Sequence, residues 1–366
     1  MKTTQKILLS AAIITTVLAA CRKNGLTQQL PEATVQQDVF AVDYSNTDKA
    51  GSQLRATNIN NAYAALGRVL FYDTRLSLNG TTSCGSCHKQ ELSFADNTPT
   101  SGGFSNLQTH LNSMAIVNIG RNSGFFWGMR AGSLQTLALM PVSNHREMGF
   151  EDLNEMVERV NSIPFYKENM KRISGSGKMS SWDISNALSN FLSSMQSFNS
   201  KFDLYRTSNP ENEDQPGLTA LENKGKDLFF HKYNCATCHS GSSNMSFGWG
   251  QSSSSANIGL DPAGTLSGDS GNFKAPTLRN IALTAPYMHD GRFQTLDQVL
   301  DHYSSGIKMN PSLSWMFRET NTITKQTQAK KLNITPDEKS ALIAFLHCLT
   351  DESFTHDKRF SNPFLP

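Results

Sequence analysis

The chain has 366 residues, with 33 Lys and Arg against 31 Asp and Glu. The length allows two domains. The near balance of charge, without a run of basic residues, gives nothing for nucleic acid or a polybasic membrane patch to bind.

The chain opens MKTTQKILLSAAIITTVLAAC, with Lys2 and Lys6 ahead of an apolar run over residues 7–17. That run is too short to span a bilayer and reads as a signal peptide covering residues 1–20. Leu18-Ala19-Ala20-Cys21 looks like a bacterial lipobox, in which Cys21 takes the lipid and becomes the new N-terminus; an ordinary cleavage site beside a bystander cysteine is the alternative. The expectation is a periplasmic protein anchored by lipid to a bacterial membrane, the outer one. Cleavage removes Lys2 and Lys6, which leaves 31 basic and 31 acidic residues and a formally neutral mature chain. Residues 21–57 are polar and irregular and read as a tether.

A first domain is expected over residues 58–205. Helical spacing runs through 61–73, and amphipathic patterns follow at 149–163 and 181–198. The segment TTSCGSCHKQELSF at 81–94 holds Cys84, Cys87 and His88 as C-x-x-C-H. Two such thiols can bind zinc, form a redox disulfide or be consumed by a haem. The polar stretch 206–217, with Pro and Gly, reads as a linker. A second domain over 218–350 then supplies Cys235, Cys238 and His239 in the same order, about 150 residues after the first set. A four-cysteine zinc site brings its pairs much closer together, and a redox pair has no need of the adjacent His. Two copies of C-x-x-C-H point to covalent c-type haem: both thiols add to the vinyl groups and the His becomes the proximal ligand.

The serine- and glycine-rich run 240–272 reads as loop over a haem edge. Thr335, Pro336 and Glu338 mark the start of a helix over 335–349, as N-cap, first-turn Pro and capping-box partner. Cys348 lies in the apolar part of that helix and reads as a core thiol. With lipid on Cys21 and haem on the paired cysteines, no disulfide is required. Residues 351–366 are left as a C-terminal tail. Residues 112–141 align without gaps on 274–303 at a constant offset of 162, matching Asn118 to Asn280, Ile119 to Ile281, Arg130 to Arg292 and Leu134 to Leu296. The fold expected is mainly α: two tandem c-type cytochrome-like domains, each around one covalent haem.

Both C-x-x-C-H motifs, together with FFWGMRAGSL, PVSNHREMGF, FKAPTLRN and LTAPYMHDGRFQTLDQVLDHY, make the chain resemble the bacterial di-haem cytochrome c peroxidases and their MauG-like relatives. In that family one haem meets peroxide and the other stores and relays electrons. The resemblance places the distal ligand of the second haem at Tyr303, where peroxidases usually have Met and the MauG-like branch has Tyr; a packed tyrosine at a helix end is the alternative. Met288 and His302 are rival ligands. The repeat sets Pro141 at the position of Tyr303 in the first half, and Phe104 stands where family members often supply a His. The first haem is therefore expected to be open, with His110 and His145 read as ordinary histidines. Glu147 matches the family's distal acid, or else serves the start of the following helix. Leu137 stands where the family often has Gln. Trp127 matches the tryptophan between the haems, though W-G-M-R replaces the usual W-D-G-R; core packing is the other reading. The resemblance further implies one calcium, bound by the Asn112 side chain and the carbonyls of Thr284 and Pro286.

The function this implies is an exported peroxidase that reduces hydrogen peroxide with electrons from a small cytochrome c or cupredoxin. A MauG-like oxidase acting on a protein side chain is the alternative, favoured by Tyr303 and the open first haem but not by Tyr233, which stands where that branch has a relay Trp. A non-enzymatic electron carrier would need two six-coordinate haems, against Pro141 and Phe104. A homodimer is an open arrangement.

Overall fold

The computed structural model describes residues 33–36, 38–45, 59–122, 124–205, 207, 209, 211–239, 255–260 and 271–365. The chain from Val35 onward groups into one unit. The signal peptide and Cys21 lie outside the described residues. The helices are α1 Asn61–Tyr72, α2 Cys84–Cys87, α3 Leu134–Leu139, α4 Leu153–Ser162, α5 Pro164–Ser174, α6 Ser181–Ser194, α7 Lys201–Leu204, α8 Ala220–Asp227, α9 Ala236–His239, α10 Leu296–Asp301, α11 Pro336–His347 and α12 Glu352–Thr355. Two short antiparallel pairs, β1 Ser255–Ala256 with β2 Phe273–Lys274 and β3 Arg318–Thr320 with β4 Thr327–Ala329, are the described sheets.

Each half is built on one helix crossing. In the first, α1 starts at Asn60, whose side chain accepts from the Ala62 and Tyr63 amides, and buries a face running from Ala64 to Phe71. It crosses α6, which is held at its start by a Ser180–Asp183 capping box. The contact is backbone to backbone: a Cβ on Gly67 would lie 2.0 Å from the Ala187 carbonyl oxygen. The second half repeats this with α8 and α11, whose capping boxes are Thr219–Glu222 and the expected Thr335–Glu338 behind Pro336. Here a Cβ on Gly225 would lie 1.8 Å from the Ala341 carbonyl oxygen.

The gapless repeat survives at the level of backbone angles. Asn118, Phe126 and Met129 have φ of 55°, 65° and 51°; their partners 162 residues on, Asn280, Met288 and Gly291, have 59°, 76° and 66°. The left-handed region is costly for most side chains, so this shared pattern marks one loop built twice. Both loops end in a capped helix, α3 behind Ser133 and α10 behind Thr295. Each asparagine also clamps the chain after its half's last long helix. The Asn118 side chain bonds Ser197 N–H and carbonyl at 2.7 and 3.1 Å, and Asn280 Oδ1 accepts from the Asp351 amide at 2.7 Å.

Several expected elements differ. The helix expected over 149–163 starts only at Leu153, with Asp152 as cap, and a second helix follows at once from Pro164. That helix carries a first-turn Pro signal that periodicity alone passes over. The helix expected to reach 198 stops at Ser194, since Met195 and Ser197 turn away to meet Asn118. Part of the serine- and glycine-rich run is strand, at Ser255–Ala256; residues 240–254 and 261–270 of it lie outside the described residues. The segment read as tether is not free along its length: Val39 and Tyr44 are buried in the first core, and the Tyr44 amide donates to Asn61 Oδ1 at 2.9 Å. The segment read as a tail also belongs to that core, through Phe354 and Phe360. The linker packs too, with Gln215 buried and its amide bonded to Asn223 Oδ1. Cys348 is the buried core thiol expected, donating to the Ala344 carbonyl.

Gly225→Ala drives a methyl into backbone rather than into a flexible side chain. It is expected to destabilise the protein by about 2–3 kcal/mol in chemical denaturation. Gly132→Ala, at a position with open space, is the control expected to stay within about 0.5 kcal/mol of the parent.

Candidate haem sites

Each C-x-x-C-H motif is presented by one turn of helix at the edge of its core. Ser83 and Ser86 form a capping box at the start of α2, and Gly85 allows the Tyr72 ring to lie against the turn. His88 caps α2, and its Nδ1 is 2.8 Å from the Phe94 carbonyl oxygen. His239 ends α9, with Nδ1 2.9 Å from the Pro276 carbonyl oxygen. A carbonyl only accepts, so Nδ1 carries the proton in both rings and Nε2 keeps its lone pair. That is the tautomer a haem iron requires, with the second-shell partner metal-binding histidines usually have. Burial pushes the Cys84, Cys87 and Cys235 thiols up to about 12, 11 and 12. A redox dithiol needs the opposite shift. The donor set suits covalent haem in both halves.

In the second half Cys235, Cys238 and His239 open into a cavity of about 570 Å³, well within the roughly 300–1,000 Å³ of cofactor pockets. Tyr303 and Met288 both line it. Tyr303 is carried by α10, whose last turn loosens into a π turn at His302–Gly306, pinned by Ser304 to the Asn333 and Ile334 amides. Burial, then the nearby Cys235 and Cys238, hold the phenol well above its usual range; a bound metal ion reverses that preference. His302 is removed from the ligand contest, because its Nε2 bonds the Ile258 carbonyl at 2.9 Å.

In the first half Glu147 is near enough for its charge to raise both Cys84 and Cys87. Its own carboxyl is raised above the ordinary value by burial, partly offset by Arg130 and by a 2.7 Å bond from Asn144 Nδ2. Its carbonyl accepts from the Phe104 amide, and the Phe104 ring packs against Gly149, whose φ of +87° leaves no place for a side chain. α4 starts at Leu153 with Asp152 as its cap, so Glu147 has no part in that helix start. His110 and His145 are exposed. Pro141 follows α3 as Tyr303 follows α10, and Leu137 packs on the first core.

Trp127 comes from the first half but lines the second cavity. It is buried, donates Nε1–H to the Asn112 carbonyl at 2.9 Å, and meets the Phe273 and His289 rings edge-on. Asn112, Thr284 and Pro286 line the same cavity. The Asn112 amide nitrogen is spent on the Thr98 and Pro99 carbonyls, which fixes the side chain with Oδ1 turned from them. Sequence reasoning missed Lys274. Its Nζ is buried on the cavity wall, donates to the Gly124 carbonyl at 2.5 Å, and is pulled down to about 7 by desolvation. No pattern announces it, since only tertiary packing takes it out of water.

Two haem-binding turns on a duplicated helical frame define a di-haem protein of the c-type cytochrome class. The chain belongs to the di-haem cytochrome c peroxidase family, whose description is matched over residues 61–211 and 224–352. That family's members are haem oxidoreductases, and membership implies two c-type haems. The methylamine utilization protein MauG of Methylorubrum extorquens is 30% identical over 300 residues, 79% of this chain and 78% of that protein. The cytochrome c551 peroxidase of Nitrosomonas europaea is 33% identical over 323 residues, 86% of each. A solved MauG-like protein associated with microbial copper homeostasis superposes with a TM-score of 0.70 at 31% identity, covering 92% of this chain and 99% of that one. The di-haem peroxidase BthA of Burkholderia thailandensis shares the fold, with a TM-score of 0.66 at 18% identity.

Pyridine haemochrome assay is expected to find two covalent haems per chain, and Cys235→Ala with Cys238→Ala to leave one. Retention of both in the double variant would place the second haem elsewhere.

Proposed function

We propose that the protein is an exported peroxidase that reduces hydrogen peroxide to water with electrons from a small redox protein. Cys84, Cys87 and His88 would hold the haem that meets peroxide; Cys235, Cys238, His239 and Tyr303 would hold the relay haem. When bound, the haems supply the iron that takes peroxide and the electrons that reduce it. The observation carrying the assignment is the unequal repeat: Tyr303 in one half, Pro141 in the other. Proline has no side-chain donor, so the first site lacks the ligand its partner has.

Glu147 then moves the proton. Held by Asn144 and raised by burial, it takes a proton from the near oxygen of peroxide and returns it to the leaving one. Trp127, buried between the halves, offers its indole as a step for electrons. Asn112 Oδ1 with the Thr284 and Pro286 carbonyls suits a calcium ion, a hard cation for oxygen ligands. Support for export comes from the leader and from c-type motifs; Cys21 would carry the lipid, in the periplasm.

Glu147→Gln keeps size and removes the shuttle. It is expected to slow the peroxide step by about 10²-fold or more in stopped flow. In the parent, that step should weaken as pH falls through the raised carboxyl pKa, since the base must be ionised. The variant should lack this limb. Equal rates would leave Glu147 a packing role.

The second reading, a MauG-like oxidase acting on a protein side chain, is favoured by one observation: a tyrosine, not a methionine, follows α10. Electron paramagnetic resonance of the ferric protein is expected to show one high-spin and one low-spin signal. Tyr303→Phe should abolish the low-spin one, because phenylalanine offers the iron no donor atom. Two low-spin signals in the parent, or no change in the variant, would hand the ligand role to Met288.

A further inference from the structure

The second cavity meets solvent at a tryptophan. Trp315 opens the short turn Trp315–Phe317, lines the cavity with Cys235 and His239, and is 80% exposed. One indole therefore spans the cofactor pocket and bulk water. Packing does not account for that, because large aromatic side chains are mostly covered where they serve a core. The next residues fold into the β3–β4 hairpin, whose turn holds Ile323 at 88% exposure. Around them, residues 304–333 carry Lys308, Arg318, Lys325, Lys330 and Lys331 against Glu319. Four of those five cations are exposed, and Lys330 also lines the cavity. Arg318 is anchored to the Leu313 and Pro311 carbonyls. Five positive charges against one negative give this stretch an excess of four, while the whole chain has only +2. The overall neutrality hides a basic stretch of chain that carries an exposed indole. Such fields steer oppositely charged partners, and exposed Trp with Arg is the composition of binding hot spots.

We propose that Trp315 and its basic surround form the port at which a small acidic one-electron redox protein docks and passes its electrons inward. The inference rests on the peroxidase reading and names the chemistry of its donor. Two donor molecules each lose one electron through Trp315. One hydrogen peroxide gains both electrons and two protons and leaves as two waters. Indole can be oxidised and re-reduced in one-electron steps; a phenyl ring resists this, so Phe at the same place preserves contact and removes the hop.

The test uses the full-length holoprotein. Binding of an acidic cupredoxin, plastocyanin, is followed by calorimetry at low and physiological salt, with basic mitochondrial cytochrome c as the control. Trp315→Ala is expected to weaken plastocyanin binding at least tenfold. Lys325→Glu with Lys330→Glu should do likewise and flatten the salt dependence. Trp315→Phe should bind plastocyanin within about threefold of the parent, yet its turnover with plastocyanin, relative to turnover with ascorbate and a mediator, should fall at least tenfold. Unchanged affinity in both Trp315→Ala and the charge-reversed variant overturns the port, as does tighter binding of the basic control. A dimer of the parent that Trp315→Ala splits into monomers also overturns it, assigning the indole to a second copy of the chain. Absence of any peroxide turnover with ascorbate and mediator would retire the peroxidase reading, and the calorimetry would still decide the port.

Discussion

Two hydrogen bonds between the halves organise the rest of the molecule. The Asn112 amide donates to the His289 carbonyl, and the Lys274 amide donates to the Trp127 carbonyl, both at 2.8 Å. Asn112 and Lys274 are 162 residues apart, and so are Trp127 and His289. The two bonds are thus the same bond made twice, once in each direction. Residue i of one half meets residue j of the other, and j meets i. That is the contact rule of a two-fold dimer interface, here within one chain. A duplicated segment that pairs with its own copy needs no new complementary surface, and it fixes both haem-binding turns relative to one junction.

The junction is closed by buried polar groups whose partners are shared. Asn280 donates to Ser93 and Ser197 and accepts from the Asp351 amide, so one side chain ties both halves to the returning C-terminal segment. Ser197 donates in turn to Asp351 Oδ2 at 2.9 Å. Leaving such a buried group unpaired costs about 1–3 kcal/mol each. A network with this cost resists slippage of one half against the other.

Much of this was legible in the sequence because chemistry fixes spacing. Covalent haem needs two thiols three residues apart and a histidine beside the second, and the loop with three left-handed residues tolerates no insertion. The helix crossings were not legible. Gly67 and Gly225 differ by 158 positions, the haem motifs by 151, the loops by 162, and Ala187 and Ala341 by 154. Each block keeps its own offset because the connections between blocks vary in length, so one ungapped alignment finds one block. The π turn carrying Tyr303, the buried amine of Lys274 and the packing of Val39, Tyr44, Phe354 and Phe360 depend on tertiary contacts that no local pattern encodes. Trp315 was visible as a letter, but its meaning required knowing that the cavity ends there.

The repeat also shows where the halves were free to diverge. Positions that set the backbone are kept: the two asparagines, the caps of α3 and α10, the glycines at the crossings. Tyr303, Met288 and His289, which line the second cavity, stand where the first half has Pro141, Phe126 and Trp127. The same division reaches the junction. Asn112 corresponds to Lys274, and Pro286 corresponds to Gly124. Lys274 places its amine on the Gly124 carbonyl. The Asn112 side chain instead donates to the Thr98 and Pro99 carbonyls. One copy thus carries a buried amine at this position and the other a neutral amide. The loss of symmetry at these few side chains separates the two sites without disturbing the fold that holds both.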